Sequence, residues 1–179
     1  MNRLSKEWGD LQEKLVQHRR TLDGKYLRLR NSGEAAHVAF IGNPKQRDQH
    51  WVNGRALTCP GKGCGFCEAD EKLTVKVLLN TVDIDDGKLR IFEAPHNLFS
   101  DLFRLAQEHD LAEWSFSIRR EGTGVINTRY ILKPHRELTQ AQKDKIAMAD
   151  PYDLEMEVAN GSSRMDPDDE ALITEDPLD

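Results

Sequence analysis

The segment TVKVLLNTVDIDDGKLRIFEA, residues 74–94, contains two strand signals separated by a turn. Residues 74–84 are rich in β-branched side chains, which fit a pleated, half-buried surface. Asp85-Asp86-Gly87 has the chemistry of a tight turn, and residues 88–94 resume the strand pattern. The segment therefore predicts an antiparallel hairpin near the centre of the chain.

Further strands are predicted on both sides of this hairpin, because apolar and polar side chains alternate there with a period of two. The predicted pairs are KYLRLR (25–30) with HVAFIG (37–42), across Asn31-Ser32-Gly33, and WSFSIRR (114–120) with NTRYILK (127–133), which Pro134 ends. The chain is therefore expected to be mainly β, with five or six short strands.

Apolar residues at helical spacing occur in three places. Residues 3–22 predict an N-terminal helix, which either packs on the body or docks a neighbouring copy of the chain. Residues 98–109 predict a helix with leucines on one face, and residues 138–149 predict a short helix that begins near Thr139.

A helix that interrupts a run of short strands is compatible with a five-stranded oligonucleotide-binding (OB) barrel. We therefore predict an OB-fold barrel with a zinc-binding loop insertion, an N-terminal helix, one or two short helices and a disordered acidic C-terminal tail. The predicted boundaries are 1–24 for the helical arm, 25–149 for the core with its zinc loop at 43–72, and 150–179 for the tail.

Charge is distributed unevenly along the chain. The formal net charge is −6, but residues 150–179 hold 11 of the 31 acidic residues and a single basic residue, Arg164. Residues 1–149 keep 24 basic and 20 acidic side chains and are net positive, so the body is compatible with a nucleic-acid partner. There is no run of 18 apolar residues and no N-terminal apolar h-region, which predicts a cytoplasmic protein without a membrane partner.

All three cysteines lie within the nine residues CPGKGCGFC. An odd and clustered set of cysteines indicates metal binding rather than a disulfide framework. Cys64 and Cys67 form a C-x-x-C pair, and Cys59 precedes Cys64 with four residues between them. Gly63 and Gly65 tolerate the backbone conformation that a metal knuckle needs, so the pattern predicts Zn²⁺.

A structural zinc ion needs a fourth protein ligand. His50 is the first candidate and His37 is the second. Four protein ligands leave no open coordination position, and neither histidine begins the H-x-E motif of zinc deaminases. We therefore predict a structural Zn²⁺ and no enzymatic activity.

Binding of single strands without sequence preference needs cations that contact phosphates and flat rings that stack on bases. Such residues are interleaved along the predicted strands and near the zinc loop, although aromatic side chains on strands belong more often to the core. The candidate nucleic-acid-binding residues are Tyr26, Arg28, Arg30, Lys45, Arg47, Trp51, Arg55, Lys76, Arg90, Phe92, Arg119, Arg129 and Tyr130.

In their order along the chain, these motifs resemble the single-stranded DNA-binding proteins of tailed bacteriophages, in particular the zinc-containing helix-destabilising type. The motifs are KYLRLR, HVAFIG, His50-Trp51, CPGKGCGFCE, TVKVLLNTVDIDDGKLRIFEAP, IRREGTG and TRYILKP, and the resemblance spans residues 25–134. It implies an OB fold, a structural zinc ion held by His50, Cys59, Cys64 and Cys67, and an acidic tail that recruits replication or recombination proteins.

The predicted function is to coat and protect single-stranded DNA during phage DNA replication, recombination or repair in the host cytoplasm. The acidic tail is expected to compete for the binding groove and to contact partner proteins, and self-association on the strand is a further hypothesis. The alternative is a zinc-containing transcription-regulating or protein-interaction module that contacts a polymerase.

Overall fold

The computed structural model describes residues 24–52, 55–123 and 128–159. The helix predicted over residues 3–22 and the tail beyond residue 159 lie outside these ranges. The strands are β1 Ala35–Val52, β2 Arg55–Thr58, β3 Leu73–Asp83, β4 Leu89–Pro95, β5 Trp114–Glu121 and β6 Arg129–Glu137. The helices in the described ranges are α1 Gly65–Glu68, α2 His96–Glu108, α3 Gln140–Ala147 and α4 Leu154–Ala159.

The strands form one antiparallel sheet in the order β4-β3-β1-β5-β6, and β2 pairs with the end of β1. The mainly β prediction is therefore confirmed. β5 returns beside β1 after the α2 connection, so the strands β1, β3, β4 and β5 have Greek-key order. No backbone pairing between β4 and β6, the two edges, occurs among the described residues.

The inner face of the sheet carries the larger hydrophobic core. Phe116 and Ile118 are fully buried there, and Leu98, Leu102 and Leu105 of α2 pack in the same cluster, as the helical spacing predicts. Burial of each such side chain contributes about 1.5–3 kcal/mol to the free energy of unfolding. Helix α2 contacts β3, β4 and β6, and so it spans the gap between the two edges of the sheet.

The outer face carries a second, smaller core at one end of the sheet. Leu78 and Ile91 are fully buried there, and Leu154 of α4 packs on them together with Tyr26. The prediction of a disordered tail from residue 150 onwards therefore fails for residues 150–159, which supply apolar side chains to this core. A helix of six residues is too short to be recognised by periodicity in an acidic sequence.

Three predicted boundaries also differ from the structure. Residues 27–30 are not a strand, and the amide of Leu27 bonds instead to the carbonyl of Ile91 on β4. The predicted zinc loop, residues 43–72, belongs to strands β1 and β2 as far as residue 58, and residues 53 and 54 lie outside the described ranges. A bulge after Ile41 lets β1 continue into this segment. Strand β6 runs through Pro134, which an edge strand tolerates.

Candidate metal centre and basic surface

Four predicted ligands meet at one point of the structure. The Nε2 atom of His50 lies 3.5 Å from Sγ of Cys64 and 3.3 Å from Sγ of Cys67, and the Sγ atoms of Cys59 and Cys67 are 3.6 Å apart. All four ligand atoms lie within 4.8 Å of one another. This cluster could hold a metal ion, as the spacing of the cysteines predicts.

These three distances are close to those around a tetrahedral metal ion. With metal bonds of about 2.3 Å to sulfur and about 2.0 Å to nitrogen, tetrahedral angles separate the ligand atoms by about 3.5–3.8 Å. Three thiolates and one imidazole are also a donor set that suits zinc. Three thiolates around a dication leave the centre with a single net negative charge.

Local backbone structure brings the ligands together. His50 lies near the end of β1, and the Cys59 amide bonds to the Asp48 carbonyl of the same strand. Cys64 directly precedes α1, and Cys67 lies within it. The end of β1, the segment after β2 and one helical turn therefore supply the four candidate ligands.

Two glycines shape the loop between the first and second cysteine. Gly61 and Gly63 have φ values of 81° and 78°, which L side chains rarely adopt. Positions 61 and 63 therefore favour glycine. Gly65, the other predicted knuckle glycine, simply begins α1.

Hydrogen bonds shift the pKa values of two of the thiols, those of Cys64 and Cys67, in opposite directions. The backbone N–H of Cys67 is the largest of the influences that lower the pKa of Cys64 to about 7. The hydrogen bond with the Cys59 thiol is the largest of those that raise the pKa of Cys67 to about 11. Because cysteines bind metals as thiolates, metal binding at this cluster would release protons.

His50 is the most deeply buried residue of the cluster. His50 is fully buried, and its ring lies 5.7 Å from that of Phe66. Its Nδ1 atom has no hydrogen-bond partner among the described residues, whereas metal-binding histidines usually donate from their second nitrogen. His37, the other candidate ligand, is not part of the cluster: its Nδ1 lies 3.1 Å from Asp85 Oδ2 and its ring stacks on His135.

The candidate nucleic-acid residues divide between the two faces of the sheet. The rings of Phe92 and Tyr130 meet edge to face at 5.9 Å and pack with the inner core. The register places five candidates on the outer face. These five are Lys45, Arg47, Trp51, Lys76 and Arg119.

Three candidates are buried in this structure and do not fit the predicted role at an exposed binding surface. Phe92 belongs to the inner core and Tyr26 to the outer one. Arg47 is 1% exposed and pairs with Glu93 on β4. Alternation along a strand assigns a face to a residue but does not tell what covers that face.

Two further candidates lie close to Tyr26 in the chain, and one lies beyond the described side chains. Arg28 is 5.1 Å from the centroid of the Tyr26 ring. Arg30 is exposed. The side chain of Arg55 lies outside the described part of the chain.

Two candidate cations on the edge strands are held by carboxylates. Arg90 on β4 pairs with Asp83 and Asp86. Arg129 on β6 pairs with Glu121. The charges of these two candidates are therefore balanced within the protein.

Two carboxylates of helix α4 form ion pairs with lysines near the outer face of the sheet. Glu157 accepts hydrogen bonds from Lys25 and from the Tyr26 hydroxyl, the latter at 2.9 Å. Glu155 pairs with Lys45. The sequence carries no signal for these contacts, because each joins residues more than 100 positions apart.

One side chain of β3 holds the segment that precedes α4. The Asn80 amide donates to the backbone carbonyl of Tyr152 and accepts from the backbone N–H of the same residue. Asn80 thus occupies both hydrogen-bonding groups of one residue, as a neighbouring strand would. This contact positions the segment before α4 on the outer face.

Comparison of the chain with protein-family models, with curated proteins and with solved structures gave no match. No helix among the described residues combines the length and the apolarity that crossing a bilayer requires. The function is therefore inferred from the geometry of the chain itself.

Proposed function

We propose that this protein binds single-stranded DNA without catalysis, through an OB-type barrel stapled by a structural Zn²⁺, in the replication, recombination or repair of phage DNA. The observation that carries the proposal is the pairing of α4 carboxylates with two lysines, Lys25 and Lys45, of which Lys45 is one of the candidate nucleic-acid residues.

The strand order supports an OB-type barrel. OB folds are small, partly open Greek-key barrels, and here β5 lies beside β1 after a connection that contains a helix. The side chains of Phe92 on β4 and Tyr130 on β6 approach each other, and α2 contacts both strands. These contacts draw the two edges of the sheet towards each other, as a curled sheet requires.

The carboxylates of α4 support an anionic ligand for the outer face. Carboxylate and phosphate oxygens accept hydrogen bonds from the same donors, so a surface that pairs with Glu155 and Glu157 has donors that a phosphate backbone can use. Residues 160–179 follow α4 and hold seven acidic residues and one basic residue. In the proposal this acidic C-terminal part competes with DNA and, when displaced, recruits replication or recombination proteins.

The metal cluster supports a structural role for zinc. Three cysteines and one histidine fill a tetrahedral coordination shell and leave no position for a reactive water. The ion would tie α1 and the segment after β2 to the buried end of β1. A closed site of this kind serves stability rather than turnover, and the proposal therefore assigns the protein no catalytic activity.

The proposal is tested by fluorescence anisotropy with labelled oligo-dT and with a duplex of equal length. We expect preference for oligo-dT, and we expect a chain that ends after Ala159 to bind more tightly at low salt, because the acidic competitor is shortened. Truncation after residue 149 is unsuitable, since it also removes Leu154 from the outer core. Equal or tighter binding of the duplex would contradict the proposal.

One observation favours the alternative of a protein-interaction module. Leu57 and Leu73 pair in register with His50 from both sides and are 38% and 45% exposed. Two exposed leucines beside the metal centre suit an apolar contact with a polymerase. Binding of a polymerase that is lost in the Leu57→Ser and Leu73→Ser variants, with no affinity for oligo-dT, would support this function instead.

A further inference from the structure

The outer face of β5 and β6 carries three exposed cations, whereas the main contacts of α4 are with β1 and β3. Arg119 lies on β5, and Lys133 and Arg136 lie on β6. Lys133 and Arg136 are paired in register with Ser117 and Ser115, which share the face of Arg119. The three cations therefore belong to one face, and we call them the basic strip. The strip has three successive register positions, namely Arg119, Lys133 opposite Ser117, and Arg136 opposite Ser115. Positions two residues apart on a strand are separated by about 6.7 Å, so the cations follow one another in steps of that order.

The basic strip differs from four other cations of the sheet in lacking acidic partners. Lys45, Arg47, Arg90 and Arg129 each pair with a carboxylate. Within the described ranges, no member of the strip forms an ion pair. The charge of the strip is thus available to an anionic ligand without the loss of an internal ion pair.

A pair of stacked histidines lies in the same part of the face. The ring centroids of His37 and His135 are 4.0 Å apart, and the rings are 13° from parallel. They meet across β5, where the register partner of His37 is the small Ser117, and Asp85 holds His37. His135 is exposed and lies on β6 between the two strip residues of that strand.

Sequence reasoning gives no reason to select His135 or Arg136. Both follow Pro134, where the strand pattern is expected to end, and a histidine is a weaker stacking signal than a tyrosine or a tryptophan. The structure continues β6 to Glu137, and it is this extension that places both residues on the same pair of strands as Arg119 and Lys133.

We infer that the basic strip and His135 form a contact site for single-stranded nucleic acid, in which a base stacks on His135 and phosphates bind Arg119, Lys133 and Arg136. The inference rests on the proposed function and assigns to it a surface that a strand can reach while α4 remains in place. A flat ring beside a row of cations is what non-specific binding of single strands requires.

The ring pair favours a nucleic acid over an acidic peptide as the ligand. Carboxylates of a peptide are satisfied by the cations alone and gain nothing from a flat, exposed ring among them. A nucleobase has a π face that stacks on an aromatic ring whatever the sequence. Desolvation of its ring and the neighbouring charges of His37 and Arg136 also lower the pKa of His135, which favours the neutral ring.

The test uses the full chain and labelled oligo-dT at a series of salt concentrations. The triple variant Arg119→Gln, Lys133→Gln, Arg136→Gln should bind more weakly, and the slope of log affinity against log salt should fall in magnitude by about 2 for three lost phosphate contacts. A matched control removes the same charge from exposed positions elsewhere and should leave the slope nearly unchanged. The control variant is Lys62→Gln, Lys72→Gln, Lys145→Gln, which changes three exposed lysines that form no ion pair among the described residues.

The stacking contact is tested by two substitutions of one residue. His135→Ala should weaken oligo-dT binding by about fivefold or more, whereas His135→Phe keeps a flat ring and should bind within about twofold of the wild type. Thermal melting of each variant verifies that the fold is retained.

The outcomes separate the inference from the function on which it rests. A wild-type chain that does not bind oligo-dT overturns the proposed function. A wild type that binds, with equal slopes for the strip and control variants, overturns the inference alone. The inference is also overturned if the triple strip variant binds oligo-dT as the wild type does but no longer binds a synthetic peptide of residues 160–179. The strip is then a site for the acidic tail.

Discussion

The hydroxyl of Tyr26 donates a hydrogen bond of 2.9 Å to Glu157, a residue 131 positions further along the chain. The contact is buried, and Lys25 donates to the other carboxylate oxygen of Glu157. The beginning and the end of the described chain are thereby joined on the outer face of the sheet. Tyr26, which the sequence suggests for base stacking, therefore holds α4 on the sheet instead.

Loss of the Tyr26 hydroxyl should destabilise the protein. Tyr26→Phe leaves one oxygen of a buried carboxylate without its donor, and we expect the free energy of unfolding to fall by about 1–3 kcal/mol. The matched control is Tyr152→Phe, since the Tyr152 ring lies beside Lys25 and its hydroxyl makes no hydrogen bond within the described residues. Urea unfolding should place this control within about 0.5 kcal/mol of the wild type, and equal losses for the two variants would contradict the prediction.

Substitution of Arg47 should affect stability through Glu93. Arg47→Met leaves the carboxylate of Glu93, which is 10% exposed, without its partner, and we expect a loss of about 3–5 kcal/mol in the free energy of unfolding. The double variant Arg47→Met, Glu93→Leu removes both charges and should recover most of this loss. A double-mutant cycle measured in urea tests the coupling, and additive losses from the single variants would show that the two charges do not depend on each other.

Removal of the metal should unfold the region around the cluster. We expect one Zn²⁺ per chain by elemental analysis and a marked fall in melting temperature with a strong chelator, because the free energy of metal binding at a structural site is folding free energy. His50→Ala should lose the ion, whereas His37→Ala should retain it and serves as the matched control. A metal content that falls only in the His37 variant would reverse the ligand assignment.

Protonation of His135 should oppose folding. Desolvation of the ring and the charges of His37 and Arg136 lower the pKa of His135 in the folded chain, against the opposing effect of Asp85, so the unfolded chain binds the proton more readily. Its contribution to stability is therefore complete above the unfolded pKa of about 6.5 and is lost as the pH falls through the lower folded value.

The protonation of His135 is measured by NMR titration of the histidine ring resonances. The signal that disappears in the His135→Phe variant identifies this ring, and its midpoint should lie below about 6.5. A midpoint above that value would contradict the packing described for His135.

Much of the local structure is predictable from the sequence because its signals are contained in short segments. The hairpin of β3 and β4 follows from a β-branched run and a second strand pattern on either side of a turn at Gly87, and α2 follows from leucines spaced by three and four. The capping box at Thr139 likewise depends on residues within one turn of helix. The cysteine ligands are equally local, since they lie within nine residues.

The tertiary structure alone decided which polar side chains remain exposed. Arg47 in the predicted zinc loop and Arg119 and Lys133 on predicted strands carry no local signal of their exposure, yet Arg47 is buried against Glu93 and the other two are exposed. The difference arises from sheet register and from the packing of α4, which bring together residues that are distant in the chain. The sequence by itself determined most of the strands and the three cysteines of the cluster through short-range chemistry, whereas the choice of His50 over His37 and the burial and charge pairing on the outer face required the long-range contacts.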